Sequence, residues 1–187
     1  MSSLSIYPLS APEQPLLRTL RAEDIAAELA KIGVSFERWT PRAPLPRDAD
    51  DDAVRAAYAE DIARIGAANG YASIDVVRLF PDNPQRDELR AKFLAEHTHD
   101  DDEARFFAEG RGAFYLHVDA RVFAVLCEAG DFIRVPKNTL HWFDMGPQPH
   151  FTAIRWFTRA DGWVAQFTGS PYSELFPRFE RLAESAL

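Results

Sequence analysis

The chain has one cysteine, two methionines and five histidines among its 187 residues. A lone cysteine, Cys127, excludes any disulfide within the chain and fits a reducing compartment. Its setting, RVFAVLCEAG, is apolar, so a buried and inert thiol is expected. No apolar run approaches the ~18 residues of a membrane span. The opening MSSLSIYPLSAPEQ lacks the basic stretch and long apolar core of a signal peptide. A soluble, cytoplasmic protein with no membrane partner is expected. The net charge is -8 and no Lys/Arg cluster offers a phosphate footprint, which excludes nucleic acid as a partner. Otherwise the acidic balance speaks to solubility more than to function.

What is present is globular. The length suits one domain, 1–187, with ample core. Fourteen Phe and four Trp point to a core or pocket rich in rings. Residues 20–32 carry Ala22, Ile25, Leu29 and Ile32 at helical spacing, with Gly33 as a stop. VSFERW alternates like a strand, and TPRAPLPRDADDD reads as a loop whose acids start a helix over Ala53–Ala68. YASIDVVRLF reads as a strand and Gln85–Lys92 as a short helix. After about residue 93 the texture changes to short β-branched and aromatic runs between turns: GRGAFYLHVD, RVFAVLCEAGDFIRVP, HFTAIRWFT, GWVAQFTG. That spacing predicts a sandwich or a closed barrel. SPYSELFPRFERL reads as a short closing helix with Ser173 at its start. The expected architecture is therefore mainly β with added helices. A helical and mixed part (about 1–92) wraps a β core (about 93–170), and a C-terminal helix follows (about 171–187).

The stretch EHTHDDDEARFFAEG, Glu96 to Gly110, stands out. In an extended chain His97 and His99 share a face, about 7 Å apart at ~3.3 Å per residue. Phe93 and Ala95 extend that face, and Glu96 has the opposite parity. Glu103 can arrive from the adjoining segment, and His141, in GDFIRVPKNTLHWF, from a neighbouring strand. Three His and one Glu suit Fe(II), Ni(II), Mn(II) or Zn(II), and the lack of thiolate argues against a structural zinc knot. A lone His-x-His in a polar loop is usually a surface feature, and His141 alone reads as a core histidine. The joint pattern is far rarer than either part. His117 and His150 have no such companions and read as structural or exposed.

The two halves resemble the paired motifs of the cupin superfamily. His97, His99, Glu103 and Gly110 match the first; Gly130, Pro136 and His141 match the second, with Asn138 in place of the usual Gly and Met145 in place of the usual Asn. EHTHDDDEARFFAEGRGAFYLH, GDFIRVPKNTLHWFDMG and AIRWF…GWVAQFTG together are similar to the acireductone dioxygenase family over most of the chain. The resemblance implies a cupin, jelly-roll-like β-barrel and one Fe(II) or Ni(II) per chain on His97, His99, Glu103 and His141. It implies O2-dependent cleavage of the small molecule 1,2-dihydroxy-3-keto-5-methylthiopentene in methionine salvage. The implied products are formate and 4-methylthio-2-oxobutanoate with Fe(II), or formate, CO and 3-methylthiopropionate with Ni(II). Arg105 is implied as the catalytic cation facing the substrate dianion, and Phe93, Phe143 and Trp163 as pocket walls. Arg155, a charge between bulky strand neighbours, takes a paired, inward, substrate-binding role. A monomer is expected. The other readings are a different metal-dependent cupin enzyme and a non-enzymatic small-molecule-binding cupin. Arg105 two places beyond Glu103, beside a full ligand set, speaks against the latter.

Overall fold

In the computed structural model, residues 1–40 and 44–186 are described; part of the expected loop TPRAPLPRDADDD, residues 41–43, lies outside them, as does residue 187. The longest element is strand β6, Glu103–Val118, and the fold is organised around it. Its first half pairs antiparallel with β8 (Asp131–Val135) and β10 (Phe151–Phe157). Its second half pairs with β7 (Arg121–Glu128) and β9 (Leu140–Asp144). One sheet continues from β10 to β4 (Ser73–Leu79) and from β8 to β3 (Ser35–Arg38). The other runs from β7 to β1 (Ser3–Pro8) and β2 (Leu17–Thr19), and from β9 to β5 (His97–Thr98) and β11 (Gln166–Phe167).

The main core lies between the sheets, where Leu4, Ile6, Phe107, Phe114, Leu116, Val125, Ile133, Phe143 and Phe151 pack together. The outer face of one sheet buries Phe106, Phe132, Ile154 and Trp156 against Val54 of helix α2 (Asp51–Ala57), Ile65 of helix α3 (Ala59–Asn69) and Tyr58 between them. The other sheet stacks Tyr115 on Trp142, centroids 5.2 Å apart, beneath Phe176 and Leu182.

Several expectations change. Of the expected sandwich or closed barrel it is the sandwich that forms, since the hydrogen-bonded strand path is open and two facing sheets share β6. β1 and β2 were not expected: buried Ser2, Ser3 and Ser5 mask the apolar alternation that marks a strand. The helix 53–68 is two helices, broken at Tyr58 (φ -113°, ψ 20°), whose ring is buried against Phe106. The first helix, α1, spans Ala22–Ala30 as expected, and α4 spans Arg86–Leu94. Phe93 therefore sits on a helix and not on the extended face that carries His97. GWVAQFTG is a strand only over Gln166–Phe167, because the chain turns between Asp161 and Val164, whose N donates to the Asp161 carbonyl. The closing helix splits into a 3₁₀ turn, Tyr172–Glu174, which contains Ser173, and α5, Phe179–Glu184. Pro177 lies between them and cannot continue a helix.

Gly110 marks where β6 changes sheet. It has φ +71°, and an added Cβ would lie 1.8 Å from the His150 carbonyl oxygen. A register shift in β10 at Thr152/Ala153 falls opposite the same place. Gly110→Ala is expected to cost about 3 kcal/mol or more. Gly70→Ala, also at positive φ (68°) but with no atom within 4 Å, should cost only about 1–2 kcal/mol. Urea denaturation of the two variants checks this ordering.

Candidate metal centre

β5 is two residues long and pairs with β9 so that His97 lies opposite His141. His99 follows two residues on, on the same face, and Glu103 opens β6. The acids between them build the turn. Asp101 accepts from Thr158 Oγ1 (2.5 Å) and the Arg159 N–H (2.9 Å). Asp102 accepts from Arg134 (2.5 Å) and the Lys137 N–H (2.9 Å), and Asp100 pairs with Arg159 (2.9 Å). Asn138 has φ +63° and its N–H donates to the His99 carbonyl at 2.7 Å. That left-handed conformation explains why glycine suits the position and why asparagine can replace it. Glu96 points away from the histidines, as its parity predicts, and accepts from His117 Nδ1 at 2.8 Å. His117 is thus structural, and His150 is an exposed side chain near Glu109.

The three inward imidazoles are buried, with ring centroids 4.4 to 5.2 Å apart. Each Nδ1 faces a backbone carbonyl: His97 that of Ala95 (2.7 Å), His99 that of Val164 (3.0 Å) and His141 that of Thr139 (2.8 Å). A carbonyl only accepts, so Nδ1 must donate, and in the neutral ring Nε2 keeps its lone pair. His141 Nε2 is buried with no hydrogen-bond partner. The three rings offer donor atoms all within 4.8 Å of one another. Glu103 Oε2 lies 3.7 Å from His99 Nε2 and 3.5 Å from His141 Nε2. Adjacent ligands of one ion at ~2.1 Å sit roughly 3.0–3.4 Å apart, so small adjustments bring these atoms onto a cation. An unpartnered buried nitrogen is costly without one. The residues fit a metal.

The charges agree. Burial and the neighbouring His141 push the His97 imidazole down to about 4, and burial likewise lowers His99. Burial alone would raise Glu103, but Arg105 and the site histidines outweigh it and hold the carboxyl well below the usual range. His97 and His99 are therefore neutral imidazoles and Glu103 a carboxylate at neutral pH. Arg105 donates to Glu103 Oε1 at 2.6 Å, and its guanidinium sits 4.5 and 4.6 Å from the ring centres of Phe143 and Phe114.

A cavity of about 400 Å³ opens onto these groups. All the residues singled out in the sequence border it: His97, His99, Glu103, His141, Arg105, Phe93, Phe143, Arg155 and Trp163. Phe93 reaches it from α4, whose Arg90 forms a two-pronged pair with buried Asp144 (2.8 and 3.1 Å). Arg155 does point inward and is paired, through a fork on Asp75 (2.8 and 2.6 Å). Sequence reasoning missed Asp75, although an acid inside YASIDVVRLF was a visible signal. It also missed Phe114, Val164 and Phe167, which share the cavity wall. The three carbonyls carry no signal in residue type at all.

Comparison with known proteins gives consistent results. The model of the ARD/ARD′ family matches residues 7–165. The chain is 54% identical to acireductone dioxygenase of Pseudomonas aeruginosa UCBPP-PA14, covering 96% of this chain and 99% of that one. It is 56% identical to that of Parvibaculum lavamentivorans, covering 96% and 98%. Among solved structures, acireductone dioxygenase from Bacillus anthracis with a cadmium ion in its active centre superposes with a TM-score of 0.76. It shares 30% identity, with 89% of this chain and 98% of that chain covered.

Two outcomes are expected. His99→Ala should lose most bound metal by elemental analysis while remaining folded, whereas His150→Ala should retain it. In metal-stripped protein, the folded state holds His97 neutral down to about 4 while the unfolded chain protonates near 6.5. Its contribution to stability is therefore complete above 6.5 and is lost as pH falls through that window. The loss is on the order of 3 kcal/mol. Denaturant titrations from pH 8 to 4 should show it, and His97→Gln should flatten it.

Proposed function

This chain belongs to the acireductone dioxygenase family, and from that membership we propose that His97, His99, Glu103 and His141 hold one Fe(II) or Ni(II). At that centre the enzyme cleaves 1,2-dihydroxy-3-keto-5-methylthiopentene with O2, in methionine salvage. The observation that carries the site is the convergence of three imidazoles, each with Nδ1 facing a carbonyl, on a buried His141 Nε2 that has no other partner. A purely structural interior gives no reason for that nitrogen. An acireductone is an electron-rich enediol beside a ketone, able to lose protons and to give electrons to O2. The bound metal supplies a Lewis acid and a template for two adjacent substrate oxygens.

The protein's own groups do the rest. The neutral rings and the Glu103 carboxylate set a donor field of net charge -1. Arg105 fixes Glu103 through a short charge-assisted hydrogen bond and presents its remaining charge to an anionic substrate. Arg155, oriented by Asp75, adds a second cation on the same wall. Phe93, Phe143 and Trp163 keep water from the enediolate and seat an apolar tail. All four metal donors come from one chain, so the site is complete in a monomer. No described helix is long and apolar enough to cross a membrane, and the proposal places the enzyme in the cytoplasm.

The test is to strip the metal, reconstitute with Fe(II) or Ni(II) without oxygen, then admit O2. The Fe form should give formate and 4-methylthio-2-oxobutanoate; the Ni form should give formate, CO and 3-methylthiopropionate. Identical product ratios would reject metal-directed outcome, and no O2 uptake would reject the activity. Arg105→Lys keeps a charge but loses the planar fork. It should retain metal while kcat/KM falls by on the order of 10²-fold, about 2.7 kcal/mol.

A further inference from the structure

The segment after β10 is fastened at both ends by carboxylates from the histidine-bearing stretch. At its start, buried Asp101 accepts from Thr158 and Arg159. At its end, Thr168 donates through Oγ1 to Glu96 Oε1 (2.9 Å) and through its N–H to the Glu96 carbonyl (3.0 Å). Glu96 is 3% exposed and its other oxygen is held by His117. Between these fastenings the Val164 carbonyl accepts from His99 Nδ1 (3.0 Å), and the segment pairs with β5 through two residues, Gln166 opposite Thr98 and Phe167 opposite His97. β11 is the outer strand of its sheet.

Two rings that line the cavity are half-exposed, Trp163 and Phe167, and of these Phe167 adjoins the Thr168 anchor. Its ring lies 5.6 Å from the His97 ring and lines the cavity, yet the residue is 51% exposed. The walls opposite, Phe143 and Phe114, are fully buried in the core. A buried carboxylate is thus spent on holding a half-exposed aromatic ring beside a metal donor.

We propose that Phe167 is a specificity-determining residue: latched through Thr168 to Glu96, its ring covers the open side of the cavity beside His97 and selects substrates by an apolar side chain that buries it. Glu96 and Thr168 act through it as positioning residues. The inference rests on the acireductone reading and names what that site discriminates. A substrate with a long apolar chain takes the exposed ring face out of water, and one with a short chain leaves it wet.

The test compares acireductones bearing a methyl or an n-pentyl side chain, by O2 uptake on metal-loaded enzyme. The wild type should favour the longer chain. Phe167→Ala should lower kcat/KM for the long chain about tenfold and leave the short chain within about twofold, with metal content unchanged. Thr168→Val should raise KM for the long chain in the same direction with kcat kept, and Thr168→Ser should restore it. Equal losses for both chains, no loss, or loss of metal in Phe167→Ala overturns the proposal, as does Thr168→Ser behaving like Thr168→Val. Wild-type turnover without chain-length dependence overturns this inference alone. Absence of wild-type O2 uptake with either compound overturns the acireductone reading beneath it.

Discussion

Three hydrogen bonds from imidazole Nδ1 to backbone carbonyls set the terms for this interior. Each fixes one tautomer and one ring orientation, and each satisfies one polar atom of a side chain that burial would otherwise penalise. The carbonyls come from three separate places: Ala95 at the end of α4, Thr139 in the turn before β9, and Val164 in the loop after β10. The donor set is therefore only as well placed as those three pieces of backbone. The neighbouring acids act on them. Asp144 holds α4 through Arg90, Asp102 holds the turn at Lys137, and Asp101 holds the loop at Thr158 and Arg159. A chain with an excess of acid spends part of that excess on anchoring backbone.

The cations of the cavity obey a second balance. Arg105 and Arg155 stand directly opposite one another on β6 and β10, where like charges repel. Each is met by one carboxylate, Glu103 on one side and Asp75 on the other. The result is a row across three strands, β6, β10 and β4, in which two facing cations are flanked by one carboxylate on each side. Burial lowers the Arg105 guanidinium and Glu103 pulls it back. On the proposed reading, a cation sharing Glu103 would partly withdraw its charge from Arg105 and leave the arginine facing the cavity with more of its own charge.

His97, His99 and Glu103 could be read from the chain because period two puts the first two on one face and a local turn delivers the third. His141 needed a partner strand that spacing alone does not assign; the pairing opposite His97 supplies it. Arg155 as a paired inward charge was visible because a guanidinium between bulky strand residues has few other options. Phe93 was placed on the wrong kind of element, since three residues before Glu96 the helix α4 has not yet ended. The break at Tyr58 and the strands β1 and β2 follow from packing that a residue's own neighbours do not encode. Phe167 was hidden because its place beside the histidines depends on a two-residue pairing with a partner, His97, 70 positions away.

The sharing of β6 between two sheets ties these features together. Ahead of Gly110 the interior receives odd positions, Glu103, Arg105 and Phe107; beyond it the interior receives even ones, Phe114 and Leu116. A strand of strict alternation cannot do this. The extra residue is absorbed opposite the slip at Thr152/Ala153, with Gly110 in a conformation and a space that admit no side chain. One strand can then carry a charged pair at the histidine end and aromatic rings at the other, all on the inner face. Phe114 and Phe143 close over Arg105 only because that change of parity has occurred. Glycine at this point of the motif is accordingly a condition of the site's electrostatics as much as of the fold.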